Sequence, residues 1–179
     1  MMKLWNEVLE DVQNNDNFKG RIIVVSYRIA SFFRKKMTGR FTYLLFAPII
    51  LLYKLVTDLV LGCEIPVSTK IGRGFIIHHG RALVLNANVV IGNNVTLKHN
   101  TTIGNKQGPD GKDLGSPIIE DNVVIGPNSV LIGPIRIGKN SIVGAGSVVT
   151  KDVKPNSVVA GNPAKLIKKI CLANCDEEA

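Results

Sequence analysis

Aromatic side chains are sparse in this 179-residue chain: one tryptophan, three tyrosines and six phenylalanines, 6% of the whole. Proteins that grip nucleic acid stack bases on aromatic platforms or present a basic helix to a groove. With so few rings, and with basic residues scattered along the sequence, neither device is evident and nucleic acid is not expected as a partner. Cysteine is as scarce. Cys63, Cys171 and Cys175 are odd in number, lack a CxxC spacing and have no histidine pattern beside them, which argues against a disulfide framework or a zinc module. They read as reduced thiols, with the tail CLANC, residues 171–175, as a redox alternative.

Also missing is an unbroken apolar run of about 20 residues, the length a membrane-spanning helix needs. The most apolar segment, FTYLLFAPIILLYKLVTDLVLG from Phe41 to Gly62, is interrupted by Pro48, Lys54 and Asp58. It reads as a pair of helices packed on the protein's own core or on a partner subunit. The alternatives are a peripheral membrane contact, with Arg34, Lys35, Lys36 and Arg40 facing anionic lipid, and a membrane-spanning helix. The N-terminus, MMKLWNEVLEDVQ, carries acids where a signal peptide needs an apolar centre, so a cytoplasmic location is expected. Acids are in deficit overall: 14 Asp and Glu against 22 Lys and Arg leave a formal charge of +8, which favours phosphates, acidic glycans or a lipid surface.

Two periods divide what is present. In residues 1–62, Leu4, Val8, Leu9 and Val12 recur at helical spacing, and Ile22, Ile23, Tyr27, Ala30 and Phe33 do so after the polar break NNDNFKG. From residue 63 to about 160 aliphatic residues fall six apart: Ile65, Ile71, Ile77 and Leu83; then, after a two-residue offset, Leu85, Ile91, Leu97 and Ile103; then Ile119, Ile125, Leu131, Ile137, Val143 and Val149. Glycine follows several directly, and small or β-branched residues such as Val95, Thr101, Ser129 and Ser141 stand two before. A six-residue repeat of this kind is the mark of a parallel β-helix. Each hexapeptide makes one short strand and one turn, and three complete a coil that pairs with the next about 4.8 Å away. The Gly-, Pro- and Asp-rich stretch 105–118 interrupts the repeat and reads as a loop thrown out from the prism. After Val149 the chain reads as a final turn followed by a basic helix or extended tail, with residues 161–179 as the C-terminal tail.

The segments IGRGFIIHHG, VVIGNNVTLKHNTTIGN, VGAGSVVTKDV and AGNPAK, in that order between residues 71 and 165, resemble those of the hexapeptide-repeat acyltransferases. The chain is most similar to the serine acetyltransferase-like branch and, within it, to the colanic-acid-type polysaccharide biosynthesis acetyltransferases. The resemblance implies a mainly β fold, a left-handed parallel β-helix behind an α-helical N-terminal segment. It also implies a homotrimer with active sites between adjacent prisms, and acetyl-CoA as co-substrate without a metal.

By the same resemblance His79 is the general base that takes the acceptor hydroxyl's proton, a task suited to an imidazole titrating near neutral pH. Glu64, fifteen residues earlier, would orient it where the serine enzymes use an aspartate. His78 and His99 are candidates for binding the acceptor, or else line the surface. Gly144, Ala145 and Gly146 would flank the pantetheine arm. Ala160, Gly161 and Lys165 would close over the cofactor, with Lys151 and Lys165 toward its phosphates. The serine enzymes carry Asp-Ile-His-Pro and Arg-His-Pro where this chain has Glu64-Ile65-Pro66-Val67 and Gly115-Ser116-Pro117. The missing histidines and arginine argue for a sugar acceptor in capsule or exopolysaccharide synthesis, free or lipid-linked at the inner face of the cytoplasmic membrane. The alternatives are a serine O-acetyltransferase of cysteine biosynthesis and a non-catalytic β-helix scaffold.

Overall fold

The computed structural model describes residues 2–170, in which the hexapeptides wind into a parallel β-helix with three flat faces. Face A stacks Cys63–Glu64, Leu83–Leu85, Thr102–Gly104, Val130–Ile132 and Val148–Val149. Face B stacks Lys70–Ile71, Val90–Ile91, Ile118–Ile119 and Arg136–Ile137 and ends in a single bridge from Ile137 to Val153. Face C stacks Ile76–His78, Thr96–Lys98, Val124–Ile125, Ile142–Val143 and Ser157–Ala160. Strands within each stack pair in parallel, so identical repeat positions lie over one another: Ile77 under Leu97, Leu97 under Ile125, Ile125 under Val143. These side chains are buried and fill the prism.

The small residues two places earlier are also buried, and chemistry explains their type. Thr101, Ser129, Ser141 and Ser147 turn their hydroxyls onto the carbonyls of Lys98, Gly144, Lys154 and Gly144 respectively, at 2.6–3.0 Å. A buried hydroxyl is tolerated when it is hydrogen-bonded in this way. The turns between faces B and C use residues that accept a left-handed backbone. Asn94, Asn122, Asn140 and Asn156 all have φ between 53° and 59°, and their amides join edge to edge up the corner at 2.8–3.3 Å.

One register differs from the expectation. The structure pairs Leu85 with Ile103 and Cys63 with Leu83, so Leu85 holds the large inward position and Leu83 the slot two before it. The two extra residues therefore lie between Ile77 and Leu83, in the turn His79–Ala82, and not between Leu83 and Leu85. Residues six apart look equivalent in sequence whichever turn holds the insertion; only pairing across coils separates the two.

Helices α1 (Met2–Asn14) and α2 (Phe18–Lys36) close the first coil. On face C, Asp11 accepts from the Phe75 amide, Asn15 bonds both the Phe75 carbonyl and the Ile77 amide, and Asn17 donates to the Ile77 carbonyl, at 2.7–2.9 Å. Four side-chain bonds thus replace those a preceding strand would make. On face B, Arg28 donates to the carbonyls of Ile71 and Gly72, while its other edge is held by Asp11 at 2.7 Å. Tyr27 reaches the Thr69 carbonyl, and near face A Tyr53 reaches that of Ile65. Unpaired strand edges invite further strands, and here faces B and C begin under such a cover.

The apolar segment is one helix, not two. α3 (Arg40–Lys54) passes through Pro48 and continues as π turns over Leu55–Leu61 until Gly62, at φ 66°, ends it. Proline removes a single helical amide, and the apolar residues on both sides keep helical spacing. Its span Arg40–Leu61 is long and apolar enough to cross a membrane, and little of it is buried. The excursion at 105–118 carries a small antiparallel hairpin, Lys106–Gln107 against Asp113–Gly115. At the far end Lys165–Lys169 is extended and folds back antiparallel on Ser157–Ala160.

Candidate active site

The turn from face C to face A collects most of the residues singled out by sequence. Ascending the coils, it contains His78 and His79, then His99, then Asn128, then Ala145 and Gly146, then Ala160 and Gly161. At the strand spacing of a sheet, the three coil steps from His79 to Ala145 cover about 14 Å.

His79 sits in the two-residue insertion and is exposed, with φ at 66°. A left-handed backbone is uncommon outside glycine, and such residues cluster at functional positions. Gly80 makes the bulge possible from behind: a Cβ there would stand 2.5 Å from the Ile23 side chain of α2. His79 and His99 meet edge to face, ring centroids 5.6 Å apart. Nδ1 of His99 is buried and has no hydrogen-bond partner among the described residues, a state that buried polar atoms seldom occupy without a missing water or ligand. His78 points to the other side, its Nδ1 3.9 Å from Asp16, which lies between the two capping asparagines. Asp16, read in the sequence only as part of a polar break, is thereby placed beside the histidine pair; no local periodicity marks it.

Glu64 is exposed on the lowest strand of face A, paired with Val84 five residues beyond His79. Gly62, two residues before it, accepts a 2.7 Å bond from the amide of Ala82 in the histidine turn. The carboxylate is thus near that turn, but among the described residues no hydrogen bond or ion pair joins Glu64 to His79.

The upper segments come together as well. The Gly144 amide donates to Val159 at 2.8 Å and Val148 to Gly161 at 2.9 Å, so VGAGSVV lies directly under AGNPAK. Gly144 is small for a packing reason: a Cβ would stand 2.8 Å from that of Ala160. Ala145 and Gly146 are exposed, and a Cβ on Gly146 would meet nothing within 4 Å. They leave an open shelf of backbone. Lys165 pairs with Ala160 at the top of this shelf. Lys151 does not join them, because it follows face A and lies at the next turn, as does the 105–118 hairpin two levels lower. Among the described residues no three of His, Cys, Asp and Glu are grouped to hold a metal ion.

The bacterial transferase hexapeptide family (six repeats) matches residues 116–151. Over 163 residues the chain is 40% identical to a protein of Escherichia coli K12 provisionally named as the colanic acid biosynthesis acetyltransferase WcaB, covering 89% of this chain and 98% of that one. It is 41% identical over 111 residues to serine acetyltransferase 2 of Arabidopsis thaliana, covering 61% of this chain and 33% of the plant enzyme. The fold matches soybean serine acetyltransferase, solved in complex with serine, with a TM-score of 0.79 and 30% identity over 93% of this chain and 70% of that one. The prism is accordingly the left-handed parallel β-helix of those enzymes.

Proposed function

The chain belongs to the hexapeptide-repeat acyltransferases and is an acetyltransferase, and from that premise we propose that it transfers the acetyl group of acetyl-CoA to a sugar hydroxyl in capsule or exopolysaccharide synthesis. The observation that carries the proposal is the single turn that holds the His79–His99 pair below and the open shelf at Ala145–Gly146 above. Resemblance over nearly the whole length to a protein named for colanic acid biosynthesis supports a sugar acceptor. The absence of the serine enzymes' entry histidine and Arg-His-Pro weighs in the same direction.

Bound acetyl-CoA supplies an activated thioester. His79 removes the acceptor's proton as its oxygen bonds to the acetyl carbon, and delivers that proton to the departing thiolate, so free CoA and an acetate ester result. Glu64 steadies the imidazole and its charged form. His99, whose buried nitrogen has no partner among the described residues, holds the acceptor, and His78 borders it. Ala145, Gly146, Ala160 and Gly161 flank the pantetheine arm, with Lys165 and Lys151 toward the phosphates. Since Lys151 and the 105–118 hairpin lie at another turn, a neighbouring prism in a homotrimer would bring them to this site. The reaction belongs in the cytoplasm, where acetyl-CoA is made.

The test is CoA release from acetyl-CoA with serine, free sugars, nucleotide sugars and lipid-linked saccharides as separate acceptors. Turnover with a saccharide and not with serine is expected. Enzyme-like efficiency with serine would replace the proposal by serine O-acetylation.

A further inference from the structure

The net charge of the chain is not spread over it. Between Asp16 and Asp58 there is no acidic residue, while 8 of the 22 basic residues fall there; the remaining 14 match the 14 acids elsewhere. The whole formal charge of +8 therefore belongs to α2, α3 and their connection. Arg34, Lys35, Lys36 and Arg40 cluster where α2 ends and α3 begins, and all four are exposed.

Beside that cluster runs an uncovered apolar stripe. Phe41, Leu44, Leu45, Leu51, Leu52 and Leu55, with Leu59 beyond, recur at helical spacing and are between 48% and 78% exposed. From Phe41 to Leu59 the stripe extends about 28 Å at the rise of a helix, without a charge in line. The opposite side of the same helix is committed to the protein: Tyr53 and Thr57 are buried, and Tyr53 holds the Ile65 carbonyl at 2.6 Å. A helix that packs on α2 and is held to the first coil near its end cannot be surrounded by lipid, but it can lie in the plane of a bilayer surface.

We propose that the face formed by Arg40–Leu61 and the basic cluster lies along a bilayer containing anionic lipid and holds the protein there without crossing it. Apolar side chains enter the acyl boundary while the four cations meet headgroup phosphates. Charge selects this occupant. A second copy laid on the same face would bring another region of equal positive charge, and a stripe with no hydrogen-bonding side chain along it offers a protein partner little besides area. The inference does not rest on the acetyl-transfer reading.

The test is sedimentation of the full-length protein with vesicles of phosphatidylcholine alone and of phosphatidylcholine mixed with phosphatidylglycerol. Binding to the mixed vesicles, weakened by salt, is expected. The variant R34Q/K35Q/K36Q should bind them on the order of 100-fold more weakly, since each cation near the surface contributes roughly fivefold. Leu51→Glu with Leu52→Glu, at positions that are 63% exposed, should abolish binding while circular dichroism and the melting curve stay unchanged. Alkaline carbonate should release the protein from native membranes. Absence of vesicle binding by the wild type, binding indifferent to lipid charge and salt, retention after carbonate, or a dimer that the leucine substitutions split would each overturn the proposal. CoA release with a soluble acceptor, run on the same leucine variant, separates failure of this idea from failure of the catalytic one.

Discussion

His79 and His99 meet edge to face across two successive coils, and the first of those coils carries two more residues at that turn than the second. Without the insertion the turn after Ile77 would follow its neighbour, and the residue at 79 would have no reason to adopt a left-handed backbone.

That conformation selects the right substitution for probing catalysis. Asparagine occupies the same left-handed region at Asn94, Asn100 and Asn128 of this prism, so His79→Asn removes the base with little strain. We expect turnover to fall about 10²–10⁴-fold with the melting temperature and oligomer mass unchanged. Near-normal turnover would remove His79 from the mechanism. Glu64→Gln should impair turnover less, because it leaves the base in place.

Asp11 gives a pH signature. Burial raises its carboxyl above the usual range, and the hydrogen bond and charge of Arg28, with the amides of Phe75 and Gly74, offset part of the rise. The folded protein then holds this proton at pH values where the unfolded chain has released it. Stability therefore falls as pH rises from the ordinary carboxylate range through the raised value, and is level above it. Urea unfolding of wild type and Asp11→Asn from pH 4 upward should show the wild type losing its relative stability over that interval. A difference that grew with pH would contradict the assignment.

Leu97 lies between Ile77 and Ile125 in the face C stack and is fully buried. Leu97→Ala should cost about 2–5 kcal/mol, read from the denaturant midpoint. Because each coil is stable only against its neighbours, the loss should appear in the whole transition and not as local fraying. A cost within ~0.5 kcal/mol would mean that the stack is not the core.

Cys63 is buried, and that burial raises its thiol pKa. Both effects suppress the thiolate that alkylating reagents attack. The peptide containing Cys63 should remain unmodified by iodoacetamide in the native protein and become modified in urea. Native labelling would show that the first coil opens.

The prism was legible because its unit recurs: once Ile119, Ile125, Leu131 and Ile137 are seen six apart, the stacking of the first on the last follows. The histidine turn and the two glycine-containing segments above it were legible through motif. The insertion's place was not, since Leu83 and Leu85 are equally apolar and only the partner strand assigns them. Nor was the continuity of α3, because Pro48 is a strong local signal that surrounding helical spacing overrides. Asp11, Asn15, Asn17 and Arg28 were hidden most completely. Their partners lie 43 to 64 residues away on backbone atoms, and contacts of that kind leave no period in the sequence.

A helix of coils has no natural length, since each new turn presents the same edge that the last one used. In that light Asp11, Asn15 and Asn17 behave as a chain terminator does in a polymerisation, and the Lys165–Lys169 fold-back as the one at the opposite pole. Removing residues 1–62 to ask whether they bind lipid would also unseal a growing end, and the product to look for would be a filament.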